Sequence, residues 1–390
     1  MSERAPYLNS RLQGFTGTIF AEMSALAEAT GSINLGQGYP DVDGPDLIKR
    51  AAIEAIESGH NQYPPGNGIG ALRTAIASHQ QRFYGLDLDP DTEVLVTAGA
   101  TEAIAACLLA LCEPGDEVVM FEPFYDAYAA CTAMAGASRR VVPLRPPDWS
   151  FDPAALEEAI TAHTRLILLN TPHNPTGKVF GRDELALIAD ACRRHDLIAV
   201  TDEVYEHLVF ESSHVSLATL PAMAERTITI SSAAKTFSFT GWKIGWVCAA
   251  PELVAAVRAA KQFLTYVNGA PFQHAIAAGL DACDDDIVAA TSILRAKRDF
   301  LAAGLDAAGF DVLDSQGTFF LTTDISELTD EDPYEFCRSL PRRCGLVAIP
   351  STVFYDDASR GAHHVRWMFS KRHQVLEEAV GRLARLRAST

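Results

Sequence analysis

The 390-residue chain has no apolar run approaching the roughly 18–20 residues that a membrane span needs. Its longest, around residues 103–111, is about half that length and reads as a core helix. Residues 1–7 carry no apolar stretch, so no secretory leader is expected. Basic side chains are scarce: 32 Lys and Arg against 50 Asp and Glu leave a net charge of −18. Such a chain repels phosphate backbones and anionic bilayers, so neither nucleic acid nor membrane is expected as a partner. Paired cysteines are missing too. The eight, at Cys107, Cys112, Cys131, Cys192, Cys248, Cys283, Cys337 and Cys344, form no C-x-x-C motif and mostly sit among apolar residues. They read as reduced, buried thiols of a cytoplasmic protein rather than a zinc site or disulfide framework.

Familiar catalytic motifs are absent as well: there is no G-x-x-x-x-G-K-[ST], no H-E-x-x-H and no G-x-S-x-G. No resident metal is expected. Gly66, Gly68 and Gly70 follow Tyr63-Pro64-Pro65 with no strand before them, so they read as a turn into a helix rather than a dinucleotide loop. His363-His364 has no partner cluster, and Asp284-Asp285-Asp286 reads as a helix start favoured by its dipole.

What is present is an alternation. Residues 45–58 and 72–83 read as helices. Apolar runs of strand length follow at 94–98, 117–121, 140–144, 166–169, 197–201, 227–231 and 244–249, with helical patterns at 103–111, 155–162 and 182–195. Continuous apolar strands between helices predict an α/β fold with a mainly parallel sheet covered on both faces. Beyond about residue 281 a long helix (289–308), strand-like pieces (319–323 and 364–369) and a last helix (373–386) read as a smaller α+β domain. The expected division is a large domain over 46–284 and a small one from 1–45 with 285–390.

Four segments at predicted strand ends carry chemistry. Gly99-Ala100-Thr101-Glu102 opens a helix, and free N–H groups at such a turn suit a phosphate, although alone it is a common structural joint. Asn170-Thr171-Pro172-His173-Asn174-Pro175-Thr176-Gly177 is a rigid turn that aims a polar side chain. In Thr201-Asp202-Glu203-Val204-Tyr205 a hydrophobic strand runs into an acid, either a cap or a partner for a buried cation. Ser231-Ser232-Ala233-Ala234-Lys235-Thr236-Phe237 sets a Lys in an uncharged stretch, a candidate Schiff-base amine, with Lys243 eight residues on.

In order and spacing these segments resemble the class I/II aminotransferases of fold type I, which depend on pyridoxal phosphate. The resemblance runs from Asn34-Leu35-Gly36-Gln37-Gly38 to Val365-Arg366-Trp367. Asn61-Gln62-Tyr63-Pro64-Pro65-Gly66, Glu122-Pro123-Phe124-Tyr125-Asp126 and Thr240-Gly241-Trp242-Lys243-Ile244-Gly245-Trp246 make it most similar to kynurenine aminotransferase/glutamine transaminase K and to actinobacterial N-succinyldiaminopimelate aminotransferases. By that resemblance Lys235 bonds the cofactor and shuttles the substrate proton, and Asp202 keeps the pyridine nitrogen protonated. Tyr205 and Asn174 would bond the cofactor's phenolic oxygen, and Tyr125 would stack on its ring. Gly99, Ala100, Thr101, Ser232 and Lys243 would hold the phosphate, with Tyr63 reaching that of a neighbouring subunit in a homodimer. Arg366 would clamp the substrate carboxylate, aided by Gly36 and Asn174.

The sequence departs from the kynurenine-type pattern in two places. Phe20 stands where a Trp is usual, and Tyr266-Val267-Asn268-Gly269-Ala270-Pro271 has Asn and Gly in place of aromatics, which implies a roomier pocket. No second arginine for a dicarboxylate such as aspartate is evident. The expected activity is transfer of an amino group from a kynurenine-, glutamine- or methionine-like amino acid, or from N-succinyldiaminopimelate, to a 2-oxo acid such as 2-oxoglutarate. A cysteine-conjugate or cystathionine β-lyase on the same scaffold is the alternative. The ligand-sensing domain of a transcription regulator is disfavoured by the charge.

Overall fold

The computed structural model describes residues 7–15 and 17–387; the segment 1–7, where no leader was expected, therefore lies mostly outside the described residues. Seven strands form the large sheet: β1 (Val94–Thr97), β2 (Glu117–Glu122), β3 (Ser138–Pro143), β4 (Thr164–Asn170), β5 (Ile198–Asp202), β6 (Thr227–Ser232) and β7 (Gly245–Cys248). Their order is β1-β7-β6-β5-β4-β2-β3. Neighbours run parallel except at β7, which is antiparallel to both β1 and β6.

Side-chain alternation explains why these apolar runs form strands. Leu166 and Leu168 of β4 pack toward helix α1 (Gly99–Leu111), while Ile167 and Leu169 pack toward α2 (Arg182–Arg194) on the other face. Each such residue is fully or almost fully buried, a gain of roughly 1.5–3 kcal/mol per side chain. The register aligns the strand ends: Asn170 lies opposite Asp202, Asp202 opposite Ile230, Ser232 opposite Gly245, and Gly245 opposite Thr97. The reversed β7 thus starts at the edge where the parallel strands finish, and ligands of open α/β sheets bind at that edge.

A second sheet is antiparallel: β8 (Asp311–Val312), β9 (Phe320–Asp324), β10 (Ile349–Pro350) and β11 (His364–Met368), in the order β10-β11-β9-β8. Ile33–Asn34 pairs with Leu346–Val347, and Met23 and Leu35 share a core with Leu301, Phe336, Trp367 and Leu383. In β11, Val365 and Trp367 face that core, so the two-residue period turns Arg366 to the opposite side.

The helices differ from expectation mainly at their starts. The predicted 103–111 helix begins at Gly99, because that residue has φ +77° and turns the chain directly out of β1. The predicted 289–308 helix spans Asp284–Ala307, with the three aspartates in its first turn. Helices at Ile19–Thr30, Asp126–Ala135, Pro251–Lys261, Ala270–Ala282 and Pro333–Cys344 were not anticipated. The first four are rich in alanine, which blurs the contrast between faces. In the last, internal Pro341 masks a helix that Asp332 caps at the backbone N–H groups of Tyr334 and Glu335. No described helix is long and apolar enough to cross a membrane.

Where β7 starts, Gly245 presses on the α1 turn: a Cβ there would lie 2.7 Å from the Gly99 carbonyl carbon and 2.9 Å from the Ala100 nitrogen. Backbone atoms on both sides cannot yield cheaply, so Gly245→Ala should cost about 1–3 kcal/mol in urea denaturation of the apoprotein. An unchanged midpoint would mean that the two turns are not in firm contact.

Candidate active site

The strand ends of the large sheet and the outer side of β9 and β11 enclose a cavity of about 360 Å³. Of the residues singled out in the sequence, Phe20, Gly99, Ala100, Thr101, Tyr125, Asn174, Asp202, Tyr205, Ser232, Lys235, Lys243 and Arg366 line it. Gly36 takes part through its carbonyl. Tyr63 does not reach it: the ring is exposed in a separate groove with Val267 to Pro271, against Tyr266 at 5.7 Å. Residues 267–271 likewise lie outside their own chain's cavity, so they do not by themselves widen it.

One end of the cavity is an anion cradle. Helix α1 has no side-chain cap, which leaves the first N–H groups of a 13-residue helix facing the space lined by Ala100 and Thr101. Lys243 stands in the left-handed conformation, φ +56°, its carbonyl held by Asn268 Nδ2 at 2.8 Å. A Cβ on Gly99 would meet Lys243 Nζ at 3.3 Å, so the ammonium lies directly over the turn.

Lys235 is the third residue of the short helix Ala233–Thr236 that follows β6, and its Nζ donates to the Gly38 carbonyl at 2.8 Å. Enclosure pushes the ammonium down to about 8; Arg366 and Lys243 add to the shift and Asp202 opposes it. Asp202, almost fully buried, accepts from the Tyr128 hydroxyl at 2.7 Å and from the Val204 N–H at 3.3 Å. Burial raises its carboxyl to about 6 despite those donors. The Tyr205 and Phe319 rings flank Lys235 Nζ at 5.6 and 5.4 Å.

At the far wall Arg366 is 1% exposed, with Phe320, Phe354 and Phe20 at 4.0, 5.0 and 5.1 Å from its guanidinium carbon. Nη1 donates to Asn174 Oδ1 at 2.9 Å and Nη2 to the Gly36 carbonyl at 2.7 Å, whereas Nε is buried without a partner. Asn174 is placed by Asn170, whose Oδ1 accepts its N–H at 2.7 Å and whose Nδ2 donates to the Asp202 carbonyl at 2.8 Å.

Tyr128 and Phe320 escaped the sequence reading, and Asn170, the first residue of the turn that was singled out, was given no role of its own. Asn170 proves to be the last residue of β4. Tyr128 had a signal, since it follows Tyr125 by one helical turn. Phe320 had none, because neighbouring Phe319 and Phe320 read only as a strand.

With this fold and site, the chain belongs to the aminotransferase class I and II family, whose sequence profile matches residues 30–383. It is 54% identical to a probable N-succinyldiaminopimelate aminotransferase of Mycobacterium tuberculosis over 96% of this chain and 97% of the relative. Identity is 38% to the methionine aminotransferase of Escherichia coli (97% and 98% covered) and 37% to kynurenine–oxoglutarate transaminase 3 of the mouse (95% and 88%). The solved N-succinyldiaminopimelate aminotransferase from Mycobacterium tuberculosis superimposes with a TM-score of 0.95, covering 97% of this chain and all of that one. The fold is that of the fold type I enzymes, and the protein is a transaminase dependent on pyridoxal phosphate.

The residues fit that cofactor. The uncapped α1 N-terminus and Lys243 suit a phosphate, Asp202 accepts only from the neutral Tyr128 hydroxyl and the Val204 N–H and so could take a pyridinium N–H as well, and Arg366 has N–H groups left for a substrate carboxylate.

Lys235 yields a pH test. Its folded-state value near 8 lies below the ordinary 10.5, so between the two the unfolded chain holds a proton that the folded one has released. Apoprotein stability should therefore climb as pH rises through that window, by up to about 3 kcal/mol. Lys235→Met keeps the stem without the charge and lacks this slope. In urea titrations its advantage over the parent should shrink from pH 8 to pH 10.5; a constant gap would show that Lys235 titrates as an ordinary lysine.

Proposed function

We propose that this transaminase takes N-succinyldiaminopimelate, or an amino acid with a similarly long arm, as amino donor and 2-oxoglutarate as acceptor. It would work in the cytoplasm as a homodimer with shared active sites. The observation that carries the reading is Arg366: a buried guanidinium with unspent N–H groups in the cavity that also holds Lys235. The 54% identity to the mycobacterial enzyme supports the donor. Among the described residues lining the cavity, the cations are Lys235, Lys243 and Arg366. The eight free, buried cysteines support a reducing compartment.

In this reading pyridoxal phosphate supplies an electron-withdrawing ring that accepts the electron pair left when the substrate Cα loses its proton. Asp202, oriented by Tyr128, holds the proton on the ring nitrogen. Ala100, Thr101, Ser232 and Lys243 bind the phosphate, and Tyr125 covers the ring. Asn174 and Tyr205 orient the phenolic oxygen. Arg366 fixes the substrate carboxylate as a planar fork, and the Phe20, Phe320 and Phe354 rings exclude water around it. Lys235, whose ammonium gives up its proton near neutral pH, is the base at the substrate Cα. The β-lyase alternative has no support from the relatives, which are named as transaminases.

A donor panel of N-succinyldiaminopimelate, methionine, glutamine, kynurenine and aspartate, each with 2-oxoglutarate, should give the highest kcat/KM for the first. Release of ammonia and pyruvate from a cysteine conjugate at a higher rate would restore the lyase. Arg366→Ala should raise KM for donor and acceptor together by roughly 10²-fold, the scale of a lost buried ion pair; unchanged KM values would remove it from the carboxylate role.

For the dimer, Tyr63, Phe263 and Tyr266 form an exposed aromatic face beside the second groove. Sedimentation at micromolar concentration should give a dimer, and Tyr63→Phe should weaken cofactor retention several-fold without dissociating it. A fully cofactor-loaded monomer would contradict shared sites.

A further inference from the structure

On the far side of the turn that carries Asp202 and Tyr205 lies a second polar cluster that transamination does not use. His79 comes from the helix Gly70–Tyr84, while Glu206 and His207 directly follow Tyr205 in the chain. One ligand atom from each lies within 4.8 Å of the others. His79 is fully buried and Glu206 is 3% exposed; His207 is partly exposed and opens the cluster toward solvent.

Glu206 is the anomaly. One carboxylate oxygen accepts from the Ser231 hydroxyl, but Oε2 is buried and makes no hydrogen bond of proper geometry. The Tyr84 phenol lies beside this carboxylate within reach as a donor, so the neighbours offer Glu206 hydroxyls but no charge. Neighbouring Glu203, also buried, has His214 as a partner at 2.7 Å, whereas Glu206 has no ion pair among the described residues. Burying a carboxylate without a cation is costly. A positive charge is the missing component.

We propose that His79, Glu206 and His207 bind a single divalent transition-metal ion, zinc above all, on the back of the active-site turn. Two imidazoles and one carboxylate are the donor set of zinc rather than of magnesium or calcium, which prefer oxygen throughout. Burial keeps both imidazoles neutral near pH 7, the state in which they ligate. At present the two Nε2 atoms share a hydrogen bond of 2.7 Å. Tetrahedral ligands at about 2.0–2.1 Å from zinc stand roughly 3.3 Å apart, so the rings need open by only about 0.6 Å. Three protein ligands leave a fourth position for water. The His207 carbonyl accepts from Thr291 Oγ1 at 2.7 Å, so the ion would tie three elements together: the Gly70–Tyr84 helix, the Asp284–Ala307 helix and the turn bearing Asp202 and Tyr205.

The test uses cofactor-loaded protein stripped with a chelator, incubated with zinc and desalted, with metal measured by mass spectrometry. Cobalt(II) in place of zinc reports geometry through its visible spectrum. One zinc per chain and a tetrahedral cobalt spectrum are expected. Glu206→Gln and His207→Asn should each lower affinity by at least about 10²-fold, since even changes outside the ligand set cost 10–100-fold. His60→Ala should leave binding intact; His60 and His274 stack at 4.0 Å on the surface and are the obvious adventitious site. Zinc retained below stoichiometry, or lost with His60→Ala but not with Glu206→Gln, would overturn the proposal. Should both ligand variants misfold, a wild-type cobalt spectrum without tetrahedral bands would overturn it equally.

Discussion

The site rests on an excess of positive charge around one carboxylate. Lys235, Lys243 and Arg366 line a cavity whose acidic lining residue, among those described, is Asp202. The surplus has two consequences. It helps lower the Lys235 ammonium, since Arg366 and Lys243 both act in that direction. In the proposed reading it would also select what enters: a dianionic phosphate beside Lys243 and the α1 N-terminus, and a carboxylate beside Arg366, would each offset a charge that the protein leaves unmatched. Asp202 is the complementary case, a carboxylate held near 6 by burial until a cationic ring nitrogen joins it.

Strand register converts that charge pattern into geometry. Asn170, Asp202 and Ser232 end three neighbouring parallel strands, so their side chains emerge along one edge. The reversal of β7 matters equally. Because β7 begins at the edge where β6 ends, Lys243, two residues before it, arrives over the Gly99 turn. A parallel β7 would deliver its preceding loop to the opposite edge. Asn170 then links this edge to the second sheet: it positions Asn174, which accepts from Arg366 on β11.

Most of this was legible in the sequence because the strands are short apolar runs and the chemistry falls at their ends. Short apolar runs, mostly buried without interruption, mark the strands of the large sheet, and Gly99, Asp202 and Lys235 each interrupt or follow such a run. What escaped depends on contacts between distant segments. Tyr128 matters through an acid 74 positions away, and the helix containing it is alanine-rich, with little contrast between its faces. His79 and His207 are 128 positions apart, so no local spacing advertises their meeting. Tyr63 was legible as a motif but lies in a separate groove outside its own chain's cavity.

The separation between shared and distinguishing chemistry follows from the same layout. In the proposed reading Arg366 and Lys235 would meet the α-carboxylate and α-amine common to every amino acid, where the walls are strand ends and cannot shift without disturbing the sheet. The donor's side arm would then lie toward Gln37, Tyr39 and Phe20, which also line the cavity. Tyr39 is half exposed there, with Lys371 Nζ 4.5 Å from its ring centre. These residues belong to the N-terminal segment, which packs on the second sheet rather than the first. Substitutions in it can alter which arm is accepted without moving Asp202, Lys235 or the phosphate cradle. The relatives named for succinyldiaminopimelate, methionine and kynurenine resemble this chain over nearly its whole length, so a difference in donor asks for no difference in fold.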